Sequence, residues 1–206
     1  TVTIAGHPVT GLKRILKPIM PTEISDDRNY YVARNTGKEQ DVFVVTVPYA
    51  RQPVGAFRFM RSVKQAPTGP IDGRRPGPVP YQGYIGEETD FGKGRTDKGR
   101  DRGLAAFAAI GTFESEACCN MTIATTSVSV NDPLRPVFVR FHGGESRYLS
   151  ADDDRGALDR LATKGPVTVN VNTRVGNLGH FWLPDLDAGS GLDGTMNHSL
   201  SDMHAA

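Results

Sequence analysis

One set of residues in this sequence has the types that cysteine-based catalysis uses. Cys118 and Cys119 are the only cysteines, and His180 follows about sixty residues later, with Asp185 and Asp187 close behind. A cysteine nucleophile needs a base within hydrogen-bond reach and a third group that orients the base. A catalytic cysteine also tends to lie at a helix N-terminus, whereas these two begin a strand-like run. We expect buried structural thiols, and we keep a toxin-like cysteine hydrolase or deamidase that uses His180 as the alternative function.

A second candidate is the Gly-rich turn Phe141-His142-Gly143-Gly144, which follows an apolar strand. It resembles the oxyanion loop of some esterases. The sequence contains no Gly-x-Ser-x-Gly nucleophile elbow to accompany it. We therefore interpret the two glycines as a turn that closes a hairpin.

Metal ligation is the third chemistry that we consider. His198 and His204 lie near Asp193 and Asp202, but their spacing matches no standard zinc pattern. We predict no metal site and no cofactor. These side chains are expected to belong to a solvent-exposed C-terminal tail over residues 185–206.

Cationic residues form two groups that could meet phosphates. In the run from Val54 to Lys64, period-two alternation puts Phe57, Phe59 and Val63 on one face and the polar side chains on the other. An open basic sheet face can bind phosphates and unpaired bases, although an ordinary solvent face is the alternative. The predicted RNA-binding residues are Arg34, Arg58, Ser62 and Lys64. Secondary RNA or subunit contacts are predicted at Lys93, Arg95, Lys98, Arg100 and Arg102.

The elements that must position these residues are clearest in the first 64 positions. Thr1 to Ala5 and Val9 to Leu16 flank the turn Gly6-His7-Pro8. Further strand-like runs cover Asn29 to Arg34, Asp41 to Val47 and Val54 to Lys64. Both faces of the run from Asp41 to Val47 are apolar, so this strand should be central. The pattern predicts an antiparallel meander.

The remainder is less regular. Residues 66–103 form a long charged loop or arm, because 14 of its 38 residues are Gly or Pro. Leu104 to Phe113 fits a short helix or a buried strand. Strands are predicted at Cys118 to Val130, Pro136 to Phe141, Val167 to Arg174 and His180 to Leu183, and a helix at Arg155 to Ala162, which Lys164-Gly165-Pro166 ends. We predict one domain, 1–206, of the α+β class, mainly β, with an antiparallel sheet and one or two short helices.

Composition and charge indicate which partners and which cellular compartment to expect. The formal net charge is +1, which gives no general sign of a nucleic-acid binder. No apolar run approaches the roughly 18 residues of a membrane span, and the start shows no secretory signal. We expect no membrane partner. Two adjacent cysteines are no disulfide framework, which favours a reducing compartment.

The order of the N-terminal motifs carries a family resemblance. Val2-Thr3-Ile4, Gly6, Leu12, Arg14-Ile15, Tyr30-Tyr31-Val32-Ala33-Arg34 and Thr36-Gly37 precede Val42 to Val47. This order resembles the opening hairpin and first sheet strands of single-stranded RNA bacteriophage coat proteins. The resemblance implies a structural coat subunit that is no enzyme, a dimer that shares one sheet, and a closed shell with RNA on its inner face. It implies a virion protein, assembled in the host cytoplasm.

Overall fold

The computed structural model describes residues 1–4, 6–16, 40–82, 113–129, 131–144, 146–152, 155–181 and 197–206. Strands in these residues are β1 Val2–Ile4, β2 His7–Thr10, β3 Leu12–Leu16, β4 Gln40–Pro48, β5 Ile71–Asp72, β6 Val79–Pro80, β7 Glu114–Ser115, β8 Asn120–Thr125, β9 Val137–Phe141 and β10 Val167–Val171. Helices in the same residues are α1 Arg155–Ala162, α2 Gly176–His180 and α3 His198–Ala205. None of these helices is long and apolar enough to cross a membrane.

The main sheet of the described chain has the strand order β3-β4-β8-β10-β9. β4 pairs antiparallel with β3 on one side and with β8 on the other. Side chains from both of its faces are buried, since Val42, Val44, Val45 and Val47 are each no more than 2% exposed. The predicted central position of this strand is confirmed.

The sheet is mixed, and this corrects the predicted antiparallel class. β10 pairs antiparallel with β8 but parallel with β9. A parallel pair needs a crossover rather than a hairpin, and α1 lies in the connection from β9 to β10. α1 packs against β10 and β8, and its residues Leu158 and Ala162 are buried. The sequence pattern located these elements but not the order in which the strands pair.

A small second sheet packs against the first. β1 and β2 form the expected hairpin, with Gly6 at a φ of 81° in the turn, and β2 pairs parallel with β5. Val9 of β2 is fully buried and clusters with Val45 and Val47 of β4. β3 belongs to the main sheet instead, so the first 16 residues serve two sheets and the predicted single meander is wrong.

The predicted strand from Val54 to Lys64 is absent. A single 3-10 turn covers Gly55–Phe57, and an isolated bridge joins Lys64 to Ala50. Gly55 has a φ of 57°, which L residues in a strand do not adopt. Phe57 is 38% exposed and Val63 is 50% exposed, so the face that should be core is open.

The remaining predicted elements are partly confirmed and partly wrong. The predicted strand from His180 to Leu183 does not begin at His180, which ends α2, and residues 182–183 lie outside the described residues. The helix from Arg155 to Ala162 is confirmed with the same bounds. Part of the predicted tail forms α3, with His198 4% and Asp202 0% exposed, so those two side chains do not belong to an exposed tail. The runs Asn29 to Arg34 and 104–112, and residues 83–103 of the long loop, lie outside the described residues.

Truncating a side chain of the central strand should be costly. Val45→Ala removes two buried carbons next to Val9 and should lower the free energy of unfolding by about 2–3 kcal/mol in urea denaturation. Val128→Ala is the matched control because Val128 is 49% exposed, and it should stay within about 0.5 kcal/mol of wild type. Equal effects of the two changes would show that β4 is not the centre of the core.

Candidate functional site

The Gly-rich turn follows the end of β9, where the chain leaves the parallel strand pair. Gly144 has a φ of 99°, and a Cβ placed there would overlap the carbonyl oxygen of Tyr148. Only glycine meets both conditions without strain. The N–H of Arg147 donates to the carbonyl oxygen of Gly144 (2.9 Å), which closes the turn.

The residues after this turn are strained and firmly held. Ser146 and Leu149 have φ angles of 60° and 75°, in the left-handed region that non-glycine residues rarely adopt. The carbonyl oxygen of Ser146 accepts from the N–H of Gly176 (2.7 Å). The side-chain amide of Gln82 makes two hydrogen bonds of 2.9 Å to the backbone of Leu149, one as donor and one as acceptor. Non-glycine residues held at such angles are concentrated at functional sites.

His142 connects the turn to the end of β10. Its Nδ1 lies 3.0 Å from the carbonyl oxygen of Gly143. Its Nε2 lies 3.4 Å from the backbone nitrogen and 3.3 Å from the hydroxyl oxygen of Thr173. The hydroxyl of Ser199 in α3 donates to the same hydroxyl oxygen of Thr173 (3.3 Å). The turn is therefore joined to the segment that follows β10 and to α3.

Buried amides hold the segment that follows. Asn172 accepts from the N–H of Ala151 (2.7 Å) and donates to Asn120 Oδ1 (3.1 Å). Asn170 donates to the carbonyl oxygen of Ala151. Asn120 in turn donates to the carbonyl oxygen of Pro78 (2.8 Å). The network satisfies polar groups that would be costly to bury alone.

A buried ion pair lies next to this network. Arg174 and Asp202 have side chains 2% and 0% exposed, with Arg174 Nη2 2.7 Å from Asp202 Oδ1. Arg174 Nη1 also donates to the carbonyl oxygens of Arg58 and Met60 (3.0 Å each). Burial alone would lower the pKa of Arg174, but the hydrogen bond and charge of Asp202 raise that pKa above its ordinary value.

One of the predicted RNA-binding residues, Ser62, contacts the buried ion pair. The Ser62 hydroxyl donates to Asp202 and accepts from Arg174. The side chain of Arg58 forms an ion pair with Glu116 (2.8 Å). Arg34 and all five predicted secondary contacts in 93–102 lie outside the described residues. The strand face that was to present these side chains is absent, and their binding of RNA stays a prediction, as does self-assembly.

The cysteines are structural in character. Cys118 and Cys119 are 1% and 0% exposed, which confirms the predicted buried thiols. A hydrogen bond to Cys119, and then burial, hold the pKa of the Cys118 thiol well above its usual range. A substrate cannot reach an enclosed thiol, so the burial of both cysteines does not support the Cys–His alternative. Among the described residues no group of three or more His, Cys, Asp or Glu could hold a metal ion.

Sequence reasoning missed Gln82, Thr173 and Arg174. One signal was present: an arginine at the end of the predicted strand from Val167 to Arg174 needs an acidic partner if that end is buried. Nothing in the sequence indicates that Gln82 lies beside Leu149, since 67 residues separate them.

Comparison with known proteins identifies esterases and a hydrolase as similar to this chain. The sequence model of a family described as "Carboxylesterase family" matches residues 29–206. Juvenile hormone esterase of Heliothis virescens is 31% identical over 139 residues, which are 65% of this chain and 22% of that protein. A probable N-octanoylanthranilate hydrolase of Rhodococcus erythropolis is 35% identical over 80 residues, 37% of this chain and 17% of that protein. This chain therefore spans about a fifth of the length of these relatives.

Solved structures show the same fold. Juvenile hormone esterase from Manduca sexta, with OTFP covalently attached, aligns with a TM-score of 0.55 and 24% identity over 81% of this chain and 27% of that one. A thermophilic PNB esterase aligns with a TM-score of 0.58 and 21% identity over 81% of this chain and 32% of that one. The fold is that of the α/β-hydrolase carboxylesterases.

These findings overturn the coat-protein resemblance. The family match covers residues 29–206, whereas the resemblance rested on strand spacing within the first 64. The predicted structural, non-enzymatic function and the predicted virion localisation are wrong with it. The hydrolase half of the alternative function is the better supported half.

Neutralising one member of the buried ion pair should destabilise the fold strongly. Asp202→Asn leaves the Arg174 guanidinium buried without an opposite charge, and the free energy of unfolding should fall by about 3–5 kcal/mol. Asp72→Asn is the control, because the Asp72–Arg74 pair is more than half exposed and should contribute little. Urea denaturation compares them. A loss for Asp202→Asn no larger than for the control would contradict this.

Acid should also weaken the fold through α2 and α3. Burial lowers the pKa of His180 and His198, and the charge of Arg174 adds to the effect on His198, while Asp202 opposes it for both. The folded state therefore favours the neutral imidazoles. The contribution of these neutral imidazoles to the free energy of unfolding is complete above the unfolded-state pKa of about 6.5. It is lost as the pH falls below about 6.5 toward the lowered pKa values of the folded state.

Urea midpoints measured between pH 7.5 and 5.5 should fall with pH. His198→Gln should reduce that slope, whereas His204→Gln, at an exposed position of the same helix, should leave it unchanged. A wild-type midpoint that stays constant over this range would refute the assignment.

Proposed function

We propose that this chain, which belongs to the carboxylesterase family, supplies the oxyanion-binding loop of an enzyme that hydrolyses carboxylic esters. The observation that carries the proposal is the Gly-rich turn at the C-terminal end of β9, beside the parallel strand β10. Open α/β folds place ligands at the carboxyl ends of parallel strands. Backbone N–H groups of a His-Gly-Gly-Gly loop bind the negative charge in lipases and esterases.

Ester hydrolysis gives this loop a defined task. A nucleophile attacks the ester carbonyl carbon, and the carbonyl oxygen takes up the electron pair of the broken π bond. Donors that already point at this oxygen stabilise the transition state without reorganisation. When the tetrahedral intermediate collapses, the alcohol leaves with a proton, and water then releases the acid. In the proposal the N–H of Gly144 is a donor, and its peptide must be held rigidly.

The nucleophile comes from outside these 206 residues in this proposal, because the sequence contains no Gly-x-Ser-x-Gly elbow. The polypeptide that carries the nucleophile could pair with an edge of the main sheet. In the described part of the chain, β9 is an edge strand, and its residues Val137, Phe138 and Val139 are 46–61% exposed. An exposed apolar edge favours pairing with another strand. A strand that paired parallel with β9 would end close to the Gly-rich turn.

The chain departs from the esterase motif at one position. The fourth residue of the His-Gly-Gly-Gly pattern is Glu145 here. The glutamate distinguishes this sequence from the standard motif. Gly144, which keeps the motif residue, is therefore the position at which the proposal is tested.

Gly144→Ala should abolish most ester hydrolysis. The added methyl overlaps the Tyr148 carbonyl oxygen and the residue needs a positive φ, so the turn must move. Loss of one oxyanion donor lowers kcat by about 10²–10³-fold in other hydrolases, and a loss of at least about 100-fold is expected. The assay is p-nitrophenyl acetate hydrolysis by the protein that carries this sequence.

Gly69→Ala is the matched control, because a Cβ there meets no atom within 4 Å. It should retain wild-type kcat. Circular dichroism should show both variants folded. A Gly144→Ala enzyme as active as this control would exclude the turn from the reaction.

A further inference from the structure

We propose that Thr173 and Ser199 are positioning residues for the oxyanion loop, acting through His142 on the peptide between Gly143 and Gly144. The inference rests on the proposed function and goes beyond it, since it names the residues that aim the Gly144 N–H. Thr173 and Ser199 are each 2% exposed. Neither is in the Gly-rich turn.

The contacts determine the tautomer of His142. The backbone nitrogen of Thr173 can only donate, and it faces His142 Nε2 at 3.4 Å. Nε2 must therefore be the unprotonated acceptor, because a neutral imidazole has one donor and one acceptor nitrogen. The proton is on Nδ1, which lies 3.0 Å from the Gly143 carbonyl oxygen and donates to it.

The hydroxyl groups have a single consistent direction. Ser199 Oγ donates to Thr173 Oγ1 (3.3 Å), so the Thr173 hydroxyl hydrogen remains for His142 Nε2 at 3.3 Å. Hydrogen bonds in series polarise one another. We call the series Ser199, Thr173, His142 and the Gly143 carbonyl the hydroxyl relay. It begins on α3 and ends at the loop.

The relay fixes the group that catalysis needs. The Gly143 carbonyl and the Gly144 N–H belong to one planar trans peptide and point in opposite directions. Holding the carbonyl toward His142 therefore aims the N–H the other way. A peptide between two glycines has more conformational freedom than other peptides. The backbone anchors of Ser146 and Leu149 act after this peptide.

The test compares Thr173→Val, Thr173→Ser and Ser199→Ala in the protein that carries this sequence. Thr173→Val removes the hydroxyl with little change of shape, and Thr173→Ser restores it. Thr168→Val is the matched control, because Thr168 is a fully buried threonine of β10, the strand that leads to Thr173, and its hydroxyl donates to the carbonyl oxygen of Leu158 (3.2 Å) instead. Kinetics with p-nitrophenyl acetate and ¹⁵N NMR of the His142 ring are both measured.

Thr173→Val should lower kcat about tenfold with KM within about twofold, the effect of one neutral hydrogen bond acting on the transition state. Ser199→Ala should lower kcat less. Thr173→Ser and Thr168→Val should stay within about twofold of wild type. The His142 ring should carry its proton on Nδ1 in the wild type and also in Thr173→Val, because the backbone N–H of residue 173 remains. The Nε2 chemical shift should change in Thr173→Val, which lacks the hydroxyl donor, and not in Thr173→Ser.

Two results would overturn the relay. One is a wild-type ring with its proton on Nε2. The other is equal kcat in Thr173→Val, Thr173→Ser and Thr168→Val in an active enzyme. A wild-type protein without ester hydrolysis counts against the proposed function instead, and the NMR spectra then decide the relay alone.

Discussion

The buried ion pair between Arg174 and Asp202 is the interaction on which the rest of the site depends. It joins the end of β10 to α3 and, through the carbonyl oxygens of Arg58 and Met60, to the irregular segment after β4. Two charges removed from water carry a large desolvation cost, which is offset only when every donor and lone pair is used. Here the guanidinium and the carboxylate both have several partners. Moving either side chain would therefore leave buried polar atoms without partners, so the segments that carry them are held in one arrangement.

The position of this pair determines where the loop residues lie. Thr173 directly precedes Arg174, and Ser199 lies one helical turn from Asp202 on α3. The ion pair therefore brings the two hydroxyls within reach of each other and of His142. The parallel pairing of β9 with β10 places the Gly-rich turn next to this junction. A charge interaction inside the fold thus determines the geometry of a backbone N–H at the surface.

The sequence predicted those features that depend on local chemistry. The helix Arg155–Ala162 has acidic residues before it and Lys-Gly-Pro after it, and β4 is apolar on both faces. Pairing order was not predictable, because β10 inserts between β8 and β9 through contacts between distant segments. The run from Val54 to Lys64 alternates like a strand, yet Gly55 and the contacts to Arg174 bend it.

The candidate site was visible in part. His142, Gly143 and Gly144 form a recognisable motif, but the absence of a nucleophile elbow from the sequence favours interpretation of the motif as a hairpin turn. The parallel neighbour of β9 distinguishes an oxyanion loop from a hairpin turn, and only the fold shows that neighbour. The coat-protein resemblance was wrong because it rested on strand spacing with few fixed residues. Such spacing is common to many sheets and is not specific to one family.

The most direct test is a crystal structure of the protein that carries this sequence, with a trifluoromethyl ketone bound covalently as a tetrahedral adduct. The adduct oxygen should lie about 2.7–3.1 Å from the backbone nitrogen of Gly144. His142 should keep its contacts to Gly143 and Thr173. An adduct oxygen held by other donors, with Gly144 more than about 4 Å away, would exclude Gly144 as an oxyanion donor.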